Sequence, residues 1–287
     1  MLDFSNSQAK AAPRDAATVV PLRDAAGGLE VFSVLRHPKS GFLGGALVFP
    51  GGKLDATDAD EAWARLAASP APERSEAFAT ATAGALALAV CACREAFEEA
   101  SLLPALRGGA AVAADEIDEL RAGLGDGRDL AARLAARGVS LAFGALVPFA
   151  RWITPEAEAR RFDARFFLLE MPPGQVGRHD GRETTHGFWA TPADVLQRAA
   201  AGEFFLAPPT SRALELLSAT ANVAEAARLA ARQSLAPICP TFVADPVAPF
   251  LALPGDPAHA VGERRVDGPS RYVLREGRFV AEDPPPA

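Results

Sequence analysis

The sequence predicts an α/β protein, a mixed sheet with helices packed on it and extensions beyond that core. Three observations carry the expectation. Short β-rich runs recur near both ends and in the middle of the chain, alanine-rich stretches of helical character stand between them, and no internal repeat points to a solenoid. With 287 residues, 49% of them hydrophobic and 23% charged, there is chain enough for one large core or two modest ones; a fibre, a disordered tail or a stapled mini-protein is excluded.

In chain order, residues 16–36 read as a hairpin, with β-rich runs at 18–22 and 29–35 and a polar, glycine-containing turn at 23–28. A glycine-broken segment, 40–45, feeds a short apolar strand at 46–49 that Pro50-Gly51-Gly52 stops. Residues 58–72 are acidic and alanine-rich, and 73–103 hold no proline and one glycine, which predicts one or two helices. A further helical stretch, 115–137, is broken near 123–127. Strands are expected at 146–154 and 165–170 around a charged turn at 155–163. After the polar loop 172–187, Thr191 caps a helix to about 201, Pro208-Pro209-Thr210 precedes a second, and 222–233 form a third. From Pro237 the chain turns proline-rich with short β-like runs. The expected division is one domain over 1–236, with a helical insert at about 59–86, and a C-terminal extension over 237–287 packed on or following it.

A formal charge of −7 and a pI near 5.2 exclude a general polyanion binder, so no nucleic-acid partner is expected. Only Lys10, Lys39 and Lys53 are lysine; the arginine excess reflects codon bias. The longest apolar run, 83–93, is far short of the roughly 20 residues that span a bilayer, so no membrane association is expected. Cys91, Cys93 and Cys239 make no even disulfide framework, and the reading is a reduced, cytoplasmic protein.

The chemistry concentrates in Arg94-Glu95-Ala96-Phe97-Glu98-Glu99. On a helix, Glu95, Glu98 and Glu99 converge within one turn, and their repulsion is relieved either by solvent on an exposed face or by a cation among them. Clustered hard oxygens suit Mg²⁺ or Mn²⁺. Arg94 can hold one carboxylate in place.

Together with Phe49-Pro50-Gly51-Gly52-Lys53-Leu54-Asp55 upstream, this segment resembles the Nudix box, the signature of hydrolases that split diphosphates linked to another group X. Three departures stand out: Asp58 occupies the first acidic position, residues 59–93 stand where the strict box has a seven-residue spacer, and Ser101 replaces the closing glycine, the residue most permissive of a left-handed turn. A long insert at that place is itself similar to the branch of the family that contains the coenzyme A diphosphatases. Arg151-Trp152-Ile153-Thr154-Pro155, residues 160–167, Asp180-Gly181-Arg182-Glu183, Trp189 and Pro208-Pro209-Thr210 extend the likeness over about 40–210.

The resemblance implies a Nudix α/β/α sandwich with a mixed sheet, a helical insertion and a C-terminal extension. It implies metal ligation by Glu95, Glu98, Glu99 and the backbone of Gly52, catalytic roles for Glu95, Glu98, Arg94 and Glu183, and Mg²⁺ or Mn²⁺ as cofactor. The basic residues Arg151, Arg161, Arg165 and Lys53 are candidates for binding the substrate, local salt bridges with Asp163 or Glu156 being the competing use of the arginines; Asp58 is the candidate box acid. The expected substrate is coenzyme A or acyl-CoA, with ADP-ribose, a dinucleotide or a nucleotide sugar as alternatives, and a noncatalytic ligand-binding domain as the alternative of another class. A homodimer is expected.

Overall fold

The computed structural model describes residues 11–40, 43–122 and 129–285. Its strands and helices follow in the order β1 (Arg14–Ala25), β2 (Gly28–Arg36), β3 (Ala46–Val48), β4 (Gly51–Lys53), α1 (Ala62–Arg65) and α2 (Ala85–Ala100). A small subassembly comes next, with β5 (Ala105–Arg107), β6 (Ala110–Ala111), α3 (Ala114–Ala122), α4 (Leu130–Ala136) and β7 (Ser140–Leu141). The chain returns to the main sheet with β8 (Leu146–Ile153), β9 (Phe162–Glu170) and β10 (Thr184–Ala190), then runs through α5 (Pro192–Ala200), β11 (Phe205–Leu206), α6 (Pro208–Leu217) and α7 (Val223–Arg232). It ends in β12 (Thr241–Val243), β13 (Phe250–Ala252), β14 (Arg271–Arg275) and β15 (Arg278–Glu282).

The main sheet is mixed, in the order β11-β3-β2-β1-β9-β8, with β10 paired to β2 and β4 to β1. The expected hairpin is present as β1 and β2, and β1 pairs in parallel with β9 along its length. Strand alternation then sorts the core by parity. Ala17, Val19, Phe167 and Leu169 face α2, whose Leu88, Ala92, Ala96 and Phe97 join them. Val20, Leu22, Phe166 and Leu168 face the other way, against α6, α7 and the C-terminal strands through Leu214, Ala226, Leu251 and Tyr272. The sheet is thus packed on both faces, as expected of an α/β sandwich. β12 to β15 pair only with one another, but Ile238 bridges Trp152 of β8 and ties them to the core.

The insert corrects one expectation. Residues 59–84 are not a helical insertion: beyond the single turn α1 and a 3₁₀ turn at Ser75–Phe78 they are irregular. Thr80 explains part of this, because its hydroxyl accepts hydrogen bonds from the amides of Thr82 and Ala83 and offers the backbone an alternative to helix. The break expected near 123–127 and part of the 40–45 segment lie outside the described residues. Among the described residues, no helix is long and apolar enough to cross a membrane.

The helix α2 ends unusually. Ser101 adopts φ 56°, with its amide on Phe97 O and the Leu102 amide on Ala96 O, a left-handed stop normally given to glycine. Arg121 of α3 donates to the Ser101 hydroxyl and, at 2.8 Å, to the carbonyl of Glu98.

Candidate active site

The site forms where β4 passes the middle of α2. Gly51 and Gly52 pair with Thr18 and Ala17 at the edge of β1, and their lack of side chains admits the helix: a Cβ on Gly52 would collide with the Glu95 carboxylate. The Gly51 amide donates to Glu99 Oε2 at 3.0 Å. Arg94, buried, is the hub. Its Nε and Nη2 donate to both oxygens of Asp58 at 2.8 and 2.9 Å, and its Nη1 donates to Glu95 Oε1 at 2.7 Å and Glu98 Oε2 at 3.2 Å. Asp58 is held for this by a capping box, its Oδ2 accepting from the Asp55 amide at 2.8 Å.

One guanidinium does not balance these acids. Burial raises the pKa of Glu95 against the pull of Arg94, pushes Glu98 up to about 7, and, with Glu95 beside it, pushes Glu99 up to about 8. Burial works against the charge of Arg94, yet its bond to Asp58 and the field of Glu95 hold its pKa above the ordinary value. Glu98 Oε1 is buried with no hydrogen-bond partner among the described residues. No three His, Cys, Asp or Glu side chains among them stand as a ready-made metal cage. Arg94 draws Asp58, Glu95 and Glu98 to itself, and Glu99 turns to Gly51. The donor set nevertheless fits a hard divalent cation: all oxygen, short of positive charge, with one orphaned carboxylate oxygen.

These groups open into a cleft of about 780 Å³, within the size range of small-molecule sites. Glu95, Glu98, Arg94, Gly52, Lys53, Arg161 and Glu183 all line it. Asp58 and Glu99 lie behind the lining, buried at 1% and 4% exposure. Glu183 is positioned by Asp180, whose carboxylate accepts from the amides of Arg182, Glu183 and Thr184 and from the Thr184 hydroxyl. Burial opposes the charge of Asp180, but these bonds outweigh it and lower its pKa.

Two of the basic residues are placed elsewhere. Arg151 makes a two-pronged pair with Asp163 at 2.9 and 2.7 Å, and Arg165, fully buried, pairs with Asp15 at 2.6 Å. The expectation that these two bind substrate is corrected: parity turns residues 163 and 165 away from the cleft, toward Asp15 and the Phe78 carbonyl. Arg161 does line the cleft, but donates to the carbonyls of Thr154 and Ala11 at 3.0 Å each. Sequence reasoning missed Arg36, at the end of β2, which lines the cleft with a buried Nε that has no partner among the described residues. It missed Arg14 and left Arg160 undecided; both are exposed on the lining.

The two-faced mixed sheet, the glycine edge strand and the Arg94-centred acids on α2 define a Nudix domain. A family model described as the NUDT19 Nudix domain matches residues 7–217, and the chain belongs to that family. It is similar to the acyl-coenzyme A diphosphatase NUDT19 of Gallus gallus, 29% identical over 222 residues that cover 63% of this chain and 58% of that protein. The protein of the same description from Homo sapiens is 29% identical over 227 residues, with the same two coverages of 63% and 58%. The chain therefore spans less than two thirds of the length of these relatives. Among solved structures, a Nudix hydrolase from Alicyclobacillus acidocaldarius superposes with a TM-score of 0.65 at 34% identity, over 77% of this chain and 97% of that one.

Proposed function

We propose that this chain is a metal-dependent diphosphatase that cleaves the diphosphate of coenzyme A or acyl-CoA. The observation that carries the reading is the charge deficit at the cleft end of α2: Glu95 and Glu98 on the lining, one Glu98 oxygen orphaned, and a single arginine among four acids. Its kinship with the two acyl-coenzyme A diphosphatases supports the substrate.

On this reading Glu95, Glu98 and Glu99, with the backbone at Gly52, hold the metal. When bound, a divalent cation would neutralise diphosphate oxygens and polarise the phosphorus–oxygen bond under attack. Arg94 keeps Glu95 and Glu98 pointed to the cleft, and Asp58 keeps Arg94 in place. Water attacks one phosphorus in line, the bridging phosphorus–oxygen bond breaks, and the water's proton passes to a carboxylate. Glu183, exposed on the lining, is the candidate acceptor, with Glu95 the alternative. Lys53, Arg36, Arg14, Arg160 and Arg161 supply the positive lining that lets an acidic protein take an anionic substrate.

The reading extends to Mg²⁺ or Mn²⁺ as the metal, a homodimer as the assembly, the cytoplasm as the compartment, and a catalytic domain over 1–236 with 237–287 as its extension. The test is a panel of CoA, acetyl-CoA, NADH, ADP-ribose, UDP-glucose and diadenosine polyphosphates with each metal, scored by product mass, alongside light scattering for the dimer. Turnover of CoA well above the rest is the expected result. Equal, weak turnover of all overturns the substrate, and none with either metal overturns the activity.

A further inference from the structure

Strand register gives the cleft a definite shape. Lys53 of β4 pairs with Ala16 of β1, Ala16 with Ala164 of β9, and Ala164 with Trp152 of β8. Directly paired residues stand on one face of a sheet, so these four form a single row across it. All four line the cleft. The neighbouring rows are taller: Phe166 stands two residues from Ala164 on one side, and Phe162 two residues away on the other. The two alanines are therefore the floor of a trough between phenylalanine walls. At a strand spacing of about 4.8 Å, the floor runs about 14 Å from the glycine edge to Trp152.

The far end is apolar and built from residues outside the matched family region. Leu251 of β13 and Pro240 line the cleft there, and the Trp152 bridge to Ile238 fixes the segment that carries Pro240. Pro208 and Pro209 at the start of α6 complete the lining. The near end carries Lys53 and Thr18.

From a diphosphate seated at Gly52 and Glu98, the geometry points to this trough as the seat of a linear, flexible X arm with an apolar tip, as in an acyl-CoA. A ring-shaped X such as a second ribose fits it poorly. A floor one alanine wide suits a chain, and a polyhydroxylated ring would be set against phenylalanine, tryptophan and leucine, which leave its hydroxyls unpaired. The inference rests on the diphosphatase reading and assigns the choice of X to Ala16, Ala164 and Leu251.

The test is Ala164→Leu, which fills the floor from a half-buried position facing open space. The ratio of kcat/KM for palmitoyl-CoA to that for ADP-ribose is expected to fall about tenfold or more, the order of discrimination a few methylenes give. An unchanged ratio, or equal losses on both compounds, overturns the trough. If thermal melting shows Ala164→Leu unfolded, Ala16→Val on the facing strand makes the same test. If the unmodified chain hydrolyses neither compound, the diphosphatase reading fails separately. Calorimetric titration in EDTA then decides the trough: palmitoyl-CoA affinity that Ala164→Leu weakens, with ADP-ribose affinity unaltered, supports it. No palmitoyl-CoA binding by the unmodified chain, or equal changes for both ligands, overturns it.

Discussion

Two buried arginines on opposite sides of β1 do different work with similar bonds. Arg165 sits with Asp163, Asp15 and Arg151 in a cluster of two cations and two anions. Arg94 sits with Asp58, Glu95 and Glu98, and Glu99 stands behind them. The first cluster is balanced and closed; the second is short of positive charge and open to the cleft. Burial of a charge is tolerated where partners neutralise it, so the imbalance of the second marks the place prepared for a cation from outside.

The strongest way to break that comparison is Glu98→Gln. It removes a charge from the unbalanced cluster, and metal-dependent turnover should drop about a thousandfold, several kcal/mol of lost electrostatic assistance, with the melting temperature undiminished. Retained turnover, measured beside a melting curve, would sink the site. Arg165→Met should behave in the opposite way. It strands Asp163 and Asp15 and is expected to cost about 3–5 kcal/mol in urea unfolding, because one partner of a buried pair is lost. A loss of activity at full stability would show that this cluster, too, serves the reaction.

A pH titration of melting in EDTA sharpens the contrast. Glu98 and Glu99, near 7 and 8 when folded, lie above their ordinary 4.5, so their ionisation opposes folding. Stability should rise by a few degrees of melting temperature as pH falls from about 9 to about 6, and Glu98→Gln should shrink that rise. Asp256 has the other sign. Burial opposes its charge, but bonds from Arg271, the Ala258 amide and Ser270 hold its pKa below the ordinary 3.8. Its contribution is full above 3.8 and lost as pH falls through its folded value. The smallest effect belongs to Asp118→Asn, which opens an exposed pair with Arg178 and should cost under about 1 kcal/mol by the same unfolding measurement.

What the sequence made legible was whatever is local. The hairpin, the glycine edge and the helix with its acids are short-range patterns, and the structure assembles them as the spacing suggests. Asp58 was legible as the first acid but not as the anchor of Arg94, since the contact spans the insert. The misplacement of Arg151 and Arg165 was a question of parity: nothing in 151–165 alone tells which alternate residues face the cleft, because that depends on pairing with β1 nearly the whole domain away. Arg36 and the alanine trough were hidden for the same reason. The insert was misread because alanine favours helix while Thr80 and Thr82 bind the backbone locally instead.

Ser101 bears on the order in which this chain was assembled by mutation. A serine in the left-handed region is strained by about 1 kcal/mol relative to glycine, a loss most readily accepted once something grips its hydroxyl. Arg121 is that grip, and it belongs to the subassembly between α2 and β8. The plausible historical order is subassembly first and serine second. Returning Ser101 to glycine alone should be harmless, whereas excising residues 105–141 with the serine in place should fray the last turn of the helix that carries Glu98 and Glu99.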